Sequence, residues 1–285
     1  MTKKITEEER KRIRKKRVDI AIAVLFIIGI VMIIYPEVKD YVYMKEANAQ
    51  IERFERDVKK LNRSEIKERL ELARKYNRGL ITDKNFKSKF EDPYRDSGEM
   101  DAFGNYAKMI EVDGMMGYVM IPSIGVKLPL YPGSSQAVLE KGVGHLPEST
   151  LPVGGRETHS ILAAHRGNSG QELFVNLNKL KKGDTFYVRN IGGIIAYEVD
   201  DINKITPTDY SHLQVEYGRD YTTLLTCTPY LINTHRLIVR GHRVPFDGEV
   251  EKNEEEKGTL FKIIRISELV LVAAALLIIR RLLIK

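Results

Sequence analysis

Between Gly117 and Gly241 the chain repeats one pattern: short β-branched, aromatic and aliphatic runs, each cut off by turn residues. Gly117–Tyr131 holds two such runs around a turn at Pro122–Gly125. His159–His165, Thr185–Arg189, Ile194–Asp200, Tyr221–Thr226 and His235–Arg240 continue the series. About seven or eight short strands spaced by turn signals predict a mainly β domain, a barrel or a sandwich. Phe174, Leu177 and Leu180 mark one short helix before Gly183-Asp184. No repeat, low-complexity segment or phosphate-cradling glycine loop interrupts the pattern.

The last two strands carry the chemistry. Cys227, the single cysteine of the chain, stands at the exit of one strand, and Arg236 opens the next. Pro229 and Asn233 break the pattern between them. If the two strands pair antiparallel, the return brings a guanidinium towards the thiol. A cysteine is nucleophilic as the thiolate, and a fixed cation favours that form. A lone cysteine is otherwise a small buried hydrophobe. It cannot form an internal disulfide or a multi-cysteine metal site. A proton carrier would have to come from six histidines, 145, 159, 165, 212, 235 and 242. His235 adjoins Arg236, but alternation points it to the opposite face. Arg236 and Arg240 share a face, so alternation alone leaves both arginines open.

Charge and hydropathy place the rest. The chain has 285 residues and a net charge of +7, of which residues 1–17 supply +6 through nine Lys/Arg and three Glu. The basicity belongs to a tail, which argues against a nucleic-acid-binding body. Ile20–Tyr35 follows without a charge. With Val18 and snorkelling basic residues it predicts a retained membrane anchor over 18–36. A cleaved signal peptide fits less well, because its best cleavage site, Ala47-Asn48-Ala49, lies far past the apolar run. Dense Lys/Arg before the run sets residues 1–17 in the cytoplasm and the remainder outside. At the other end, residues 260–285 contain an uncharged run at Leu269–Ile279 flanked by basic residues, read as a second crossing or an interfacial helix.

Residues 37–79 predict a helical arm, with Ile51, Phe54, Val58 and Leu61 on one face. Ser64 is the expected N-cap of its second part, and Asn77 and Gly79 the expected stop. The arm reads as an amphipathic stalk lying on the domain, and it is short for coiled-coil pairing. Residues 80–112 form a polar loop region around Asp92-Pro93-Tyr94, rich in turn signals and of a length that marks a loop as either disordered or functional. The β-domain is set at 113–246, followed by a linker over 247–259.

In these segments the chain resembles the sortases. Thr223-Leu-Leu-Thr226-Cys227 resembles their Thr-Leu-x-Thr-Cys signature, and Cys227-Thr-Pro-Tyr with Asn233-Thr-His-Arg236-Leu-Ile-Val-Arg-Gly resembles its continuation in the pilus-building class C enzymes. Gly142-Val-Gly-His-Leu-Pro, Leu151-Pro-Val-Gly-Gly155 and Ala164-His165-Arg166-Gly167 add to the likeness. Phe174-x-x-Leu-x-x-Leu180-x-x-Gly-Asp184 extends it, so that it covers roughly 113–246 in order. The resemblance implies an eight-stranded sortase β-barrel with short helices, the N-terminal helical arm and flanking membrane helices.

It further implies a transpeptidase in which Cys227 is the nucleophile, His165 the acid/base and Arg236 the third member. No cofactor is expected, and no compact ligand cluster in the sequence points to a catalytic metal, leaving weak calcium binding by surface acids as the metal alternative. The expected substrates are pilins or surface proteins with an LPxTG-like sorting signal, cut between Thr and Gly. The expected acceptor is an amine, a pilin lysine or alternatively a cell-wall peptide, at a Gram-positive-type envelope. A hydrolytic cysteine peptidase and a non-catalytic bitopic scaffold are the further alternatives. A papain-like order would put Cys before His, and here His165 comes first.

Chemistry assigns the roles in parallel. An imidazole can protonate the leaving glycine amine and deprotonate the incoming one. Arg236 stays charged, so it serves as a stabiliser of thiolate, peptide carbonyl or oxyanion and not as a base. Thr226 reads as a β-former, with a substrate hydrogen bond as the functional alternative. Asp92-Pro93-Tyr94 resembles the Asp-Pro-aromatic lid of class C sortases, which implies Tyr94 near Cys227 and Asp92 towards Arg236. An ordinary Asp-Pro turn is the alternative. Leu231, Ala163-Ala164 and the polar segment after Gly167 depart from the family pattern.

Overall fold

The computed structural model describes residues 6–82, 92, 94, 106–166 and 173–250. Pro93, most of the 80–112 region and the 260–285 segment lie outside the described residues.

Helix α1 runs without a break over Glu7–Val58, with Pro36 inside it. It crosses the positions expected to separate tail, anchor and arm. It is long and apolar enough to cross a membrane. Tyr41 closes one compact unit of the chain and Val42 opens the other.

In the second unit, Tyr43, Ala47, Ile51, Phe54 and Val58 are buried. Their spacing of three and four residues makes one helical stripe, the arm face expected from the sequence. Phe54 is fully buried and meets the edge of Tyr118 at 6.4 Å. Such a side chain contributes about 2–3 kcal/mol by leaving water. At the stripe's border Glu55 receives Arg189 at 2.9 and 3.1 Å and the Tyr118 hydroxyl at 3.1 Å.

Helix α2 covers Arg63–Thr82. Its cap is Asn62, whose Oδ1 accepts the Glu65 amide at 2.8 Å, and not Ser64. Asn and Ser cap equally well, so spacing could not choose between them. Nor does α2 stop at Asn77 or Gly79. Asn77 is buried and clamps the Leu151 backbone, donating to its carbonyl at 3.0 Å and accepting its amide at 2.7 Å. Tertiary bonds of this kind override a weak helix propensity. Asn77→Ala removes both bonds and strands a buried amide and carbonyl, so a loss of about 2–4 kcal/mol is expected. An unchanged denaturant midpoint would sink that assignment.

The barrel has eight strands. They are β1 Gly117–Ile121, β2 Val126–Pro132, β3 Val143–His145, β4 Thr158–Ala163, β5 Thr185–Asn190, β6 Gly193–Ile205, β7 Asp220–Thr228 and β8 His235–Val244. They close in the order β1-β2-β3-β4-β7-β8-β6-β5. The β2–β3 and β4–β7 pairs are parallel and the others antiparallel. A closed barrel leaves no sheet edge. The expected sandwich alternative is thereby excluded. Gly117 shows how tightly β1 meets β5: at φ +150°, an added Cβ would sit 1.7 Å from the Arg189 carbonyl oxygen.

Two apolar clusters flank the wall that β4, β7 and β8 form. Leu162, Leu224, Leu237 and Val239 belong to the main core. Ile161, Ala163, Leu225 and Ile238, alternating with them, join Leu139, Leu146, Ile205 and Leu213 on the other face, with Tyr94 and Tyr210 packed against them. Helix α3, Gln136–Leu139, supplies Leu139.

Candidate active site

The register of three neighbouring strands assembles the site. In the parallel β4–β7 pair, Ala163 lies opposite Leu225, an offset of 62 residues. Carried past the end of β4, the same offset sets His165 level with Cys227. In the antiparallel β7–β8 pair Cys227 lies opposite Arg236. Residues directly opposite across a ladder share a face. His165, Cys227 and Arg236 thus form one rung with the cysteine in the middle. The rung is on the face of the second apolar cluster, two residues beyond Ala163, Leu225 and Ile238. The expected antiparallel return is present.

All three groups are buried, at 6–7% exposure. The cover is Tyr94 and Asp92. Asp92 accepts from Arg236 Nε at 2.8 Å and from Nη2 at 2.5 Å. Arg236 Nη1 also donates to the carbonyls of Asn233 and His235 at 2.9 and 3.0 Å. The Tyr94 ring lies 4.9 Å from the guanidinium carbon and 5.6 Å from the His165 ring. Its hydroxyl donates to the Ala164 carbonyl at 2.6 Å, with that of Leu225 at 3.2 Å. Tyr94 therefore touches the elements that carry all three members of the rung.

This cover sets the protonation states. Burial pushes the Cys227 thiol up to about 11, against the pull of Arg236 and Arg166, while Asp92 pushes it further up. Burial lowers His165 below its ordinary range, partly opposed by Glu140. Near neutral pH the pair is a neutral thiol beside a neutral imidazole. His165 Nε2 is buried and has no hydrogen-bond partner among the described residues. Since buried polar atoms are normally paired, this nitrogen is free to take or give a proton.

The other residues raised from the sequence fall elsewhere. His235 is on the opposite face of β8, its Nδ1 bonded to Thr234. Arg240 pairs with Asp200 and Glu216. Buried His145 and His159 sit in other hydrogen-bond networks, with Thr150 and Tyr106 and with Gln214 and Thr223. Thr226 is fully buried and donates to the Ala164 carbonyl at 2.7 Å, the same carbonyl that the Tyr94 hydroxyl uses. That bond ties β7 to the residue before His165. Arg166, not singled out from the sequence, reaches Thr228 Oγ1 at 2.7 Å. Its only sequence signal was its place beside His165; the contact needs the offset of 62.

Comparison with known proteins accords with this geometry. The sortase domain family matches residues 119–244. The solved sortase C1 of pilus island 1 from group B Streptococcus is 44% identical, with a TM-score of 0.66, over 74% of this chain and 98% of that one. Sortase C-1 from Streptococcus pneumoniae is 45% identical, with a TM-score of 0.64, over 70% and 99%. Among curated relatives, sortase A of Bacillus anthracis is 28% identical over 46% of this chain and 60% of its own length. The chain thus spans about 60% of that curated relative. With identity above 40% along nearly the whole of two solved sortases, the chain belongs to the sortase family.

Proposed function

We propose that the protein is a membrane-anchored cysteine transpeptidase of the class C kind. It cuts LPxTG-like sorting signals between Thr and Gly and passes the acyl group to an amine, in the first place a pilin lysine. The observation that carries this reading is the single rung of His165, Cys227 and Arg236 beneath a cover of Asp92 and Tyr94. Two likenesses favour the pilin acceptor over the cell-wall peptide: the solved relatives include the sortase C1 of a pilus island and a pilus-related sortase C, both from group B Streptococcus. Helix α1 supplies the anchor, residues 1–17 stay in the cytoplasm, and the barrel of 113–246 works outside.

The closed pair becomes reactive when the cover leaves. Arg236 then loses its counter-ion and turns to the thiol and the incoming peptide. The Cys227 proton passes to His165, and the sulfur attacks the Thr carbonyl carbon. Arg236 stabilises the developing oxyanion. His165 returns its proton to the glycine nitrogen, the C–N bond breaks, and a thioester remains on Cys227. A lysine amine then attacks the thioester carbonyl and gives its proton to His165, and the thiol leaves with that proton. One amide bond is exchanged for another, so no ATP is needed. The apolar face beside the rung suits the Leu and Pro of the sorting signal.

The test uses the full chain in detergent with an LPxTG-type peptide. Mass spectrometry should find an acyl adduct on Cys227, absent in Cys227→Ala. No adduct across several sorting peptides, in either the wild type or a lid variant, would overturn the reading.

A further inference from the structure

The offset that sets His165 level with Cys227 also sets Arg166 level with Thr228, the next residue of β7. The side chain uses this placement. Arg166 Nη1 donates to Thr228 Oγ1 at 2.7 Å, and Nε approaches the Val175 carbonyl at 3.4 Å. Thr228 is buried, and Arg166 is half-buried. The His165 carbonyl accepts the Phe174 amide at 3.0 Å, so the segment after β4 is held on both sides of the histidine. We propose that Arg166 is a positioning residue of the reaction. It fastens the segment bearing His165 to the strand bearing Cys227, and it gives the thiol a cation that the lid does not neutralise.

The two arginines near Cys227 differ in what they face. Arg236 is held by Asp92 in a two-point ion pair, both side chains under 10% exposed. Seen from the sulfur, that pair is close to neutral while the lid is closed. Arg166 bonds a hydroxyl and a backbone carbonyl, and it has no acidic partner among the described residues. A unit charge close to a titrating group, at an effective dielectric near 20, shifts its pKa by up to on the order of one unit. Arg166 lowers the Cys227 pKa, by less than Arg236 does in the closed state. The charged and titratable groups around the sulfur are His165 and Arg166 after β4, Arg236 on β8, and Asp92 and Tyr94 from the lid. Glu140 acts on His165. Both cations lower the Cys227 pKa, and Arg166 is the one whose described partners do not belong to the lid.

This inference rests on Cys227 being the nucleophile. Its test takes the full chain in detergent with Asp92→Ala/Tyr94→Ala, so that the thiol is reachable. Iodoacetamide labelling of Cys227 is followed against pH, with Arg166→Gln and Arg166→Lys added to that parent. The Gln variant should raise the labelling midpoint by about one unit, which is roughly tenfold slower labelling at a fixed pH below it. Peptide transfer should lose kcat with KM nearly unchanged, and Lys should restore the midpoint. A midpoint that stays put in Gln, or moves as far in Lys, overturns the proposal. Thermal midpoints of the two variants separate misfolding from a charge effect, because Lys and Gln lose the same fork. If the parent forms an acyl adduct and the midpoint does not move, Arg166 alone is demoted. If the parent neither labels nor acylates at Cys227, the nucleophile assignment falls and this inference with it.

Discussion

The Asp92→Ala/Tyr94→Ala variant is expected to build up acyl-enzyme on Cys227 on the order of a hundredfold faster than the wild type. In the closed state Asp92 neutralises an arginine that is almost fully buried. Removing one partner of such a pair costs about 3–5 kcal/mol, because the other charge stays buried alone. Opening relieves that cost by letting water reach Arg236. Tyr94 adds its contacts with His165, Arg236 and the Ala164 carbonyl, and these vanish with the side chain. A shift of about 4 kcal/mol, the middle of that range, multiplies the open-to-closed ratio by roughly a thousand and takes an open fraction near one per cent to about nine tenths, hence the order of a hundredfold. The pH dependence should follow. Opening removes two causes of the raised thiol pKa, burial and Asp92, so the labelling midpoint of the variant should fall below about 11. Closure holds the thiol proton more tightly than the open state does. Its contribution is therefore full at neutral pH and is lost as pH rises towards about 11, so alkali should open the wild-type lid. Equal acylation rates in the two proteins would reduce Asp92-Pro93-Tyr94 to an ordinary turn.

Much of this was legible because β-strands announce themselves locally. The runs around Pro122–Gly125 and around Pro229 appear as β1–β2 and β7–β8, and the antiparallel return that sets Arg236 against Cys227 follows from a single loop. What sequence could not supply was pairing between distant strands. The short strand Val143–His145 has no pattern of its own and exists because β2 and β4 flank it. The expected Ile194–Asp200 run extends to Ile205 because β8 pairs with it across a register shift between Val199 and Asp201. His165 was reached through a motif, since it lies just past the end of β4 and six histidines compete by composition. The contact between Arg166 and Thr228 spans 62 residues and depends wholly on the β4–β7 register. Helix limits failed for a related reason: α2 runs on past Asn77 where a loop from the barrel bonds its side chain.

Replacing Arg236 by lysine should separate charge from shape. The change keeps a cation opposite Cys227 and removes the planar fork that now serves Asp92 and two backbone carbonyls at once. An ammonium is a point charge with three rotatable donors, and it cannot hold two acceptors in one plane. If the guanidinium only favoured the thiolate, Arg236→Lys would behave nearly as the wild type. If it also grips the carbonyl oxygen where negative charge develops, the loss resembles that of an oxyanion donor, about 10²–10³ in kcat. The backbone bonds to Asn233 and His235 favour the second reading, because they aim the fork before any substrate arrives. In the lid-open background the labelling midpoint of Cys227 should therefore move by no more than about half a unit, since the charge is retained. Transfer of the peptide should fall at least a hundredfold with KM little changed. Transfer within about threefold of the parent would leave Arg236 as a counter-ion and move oxyanion stabilisation to another donor.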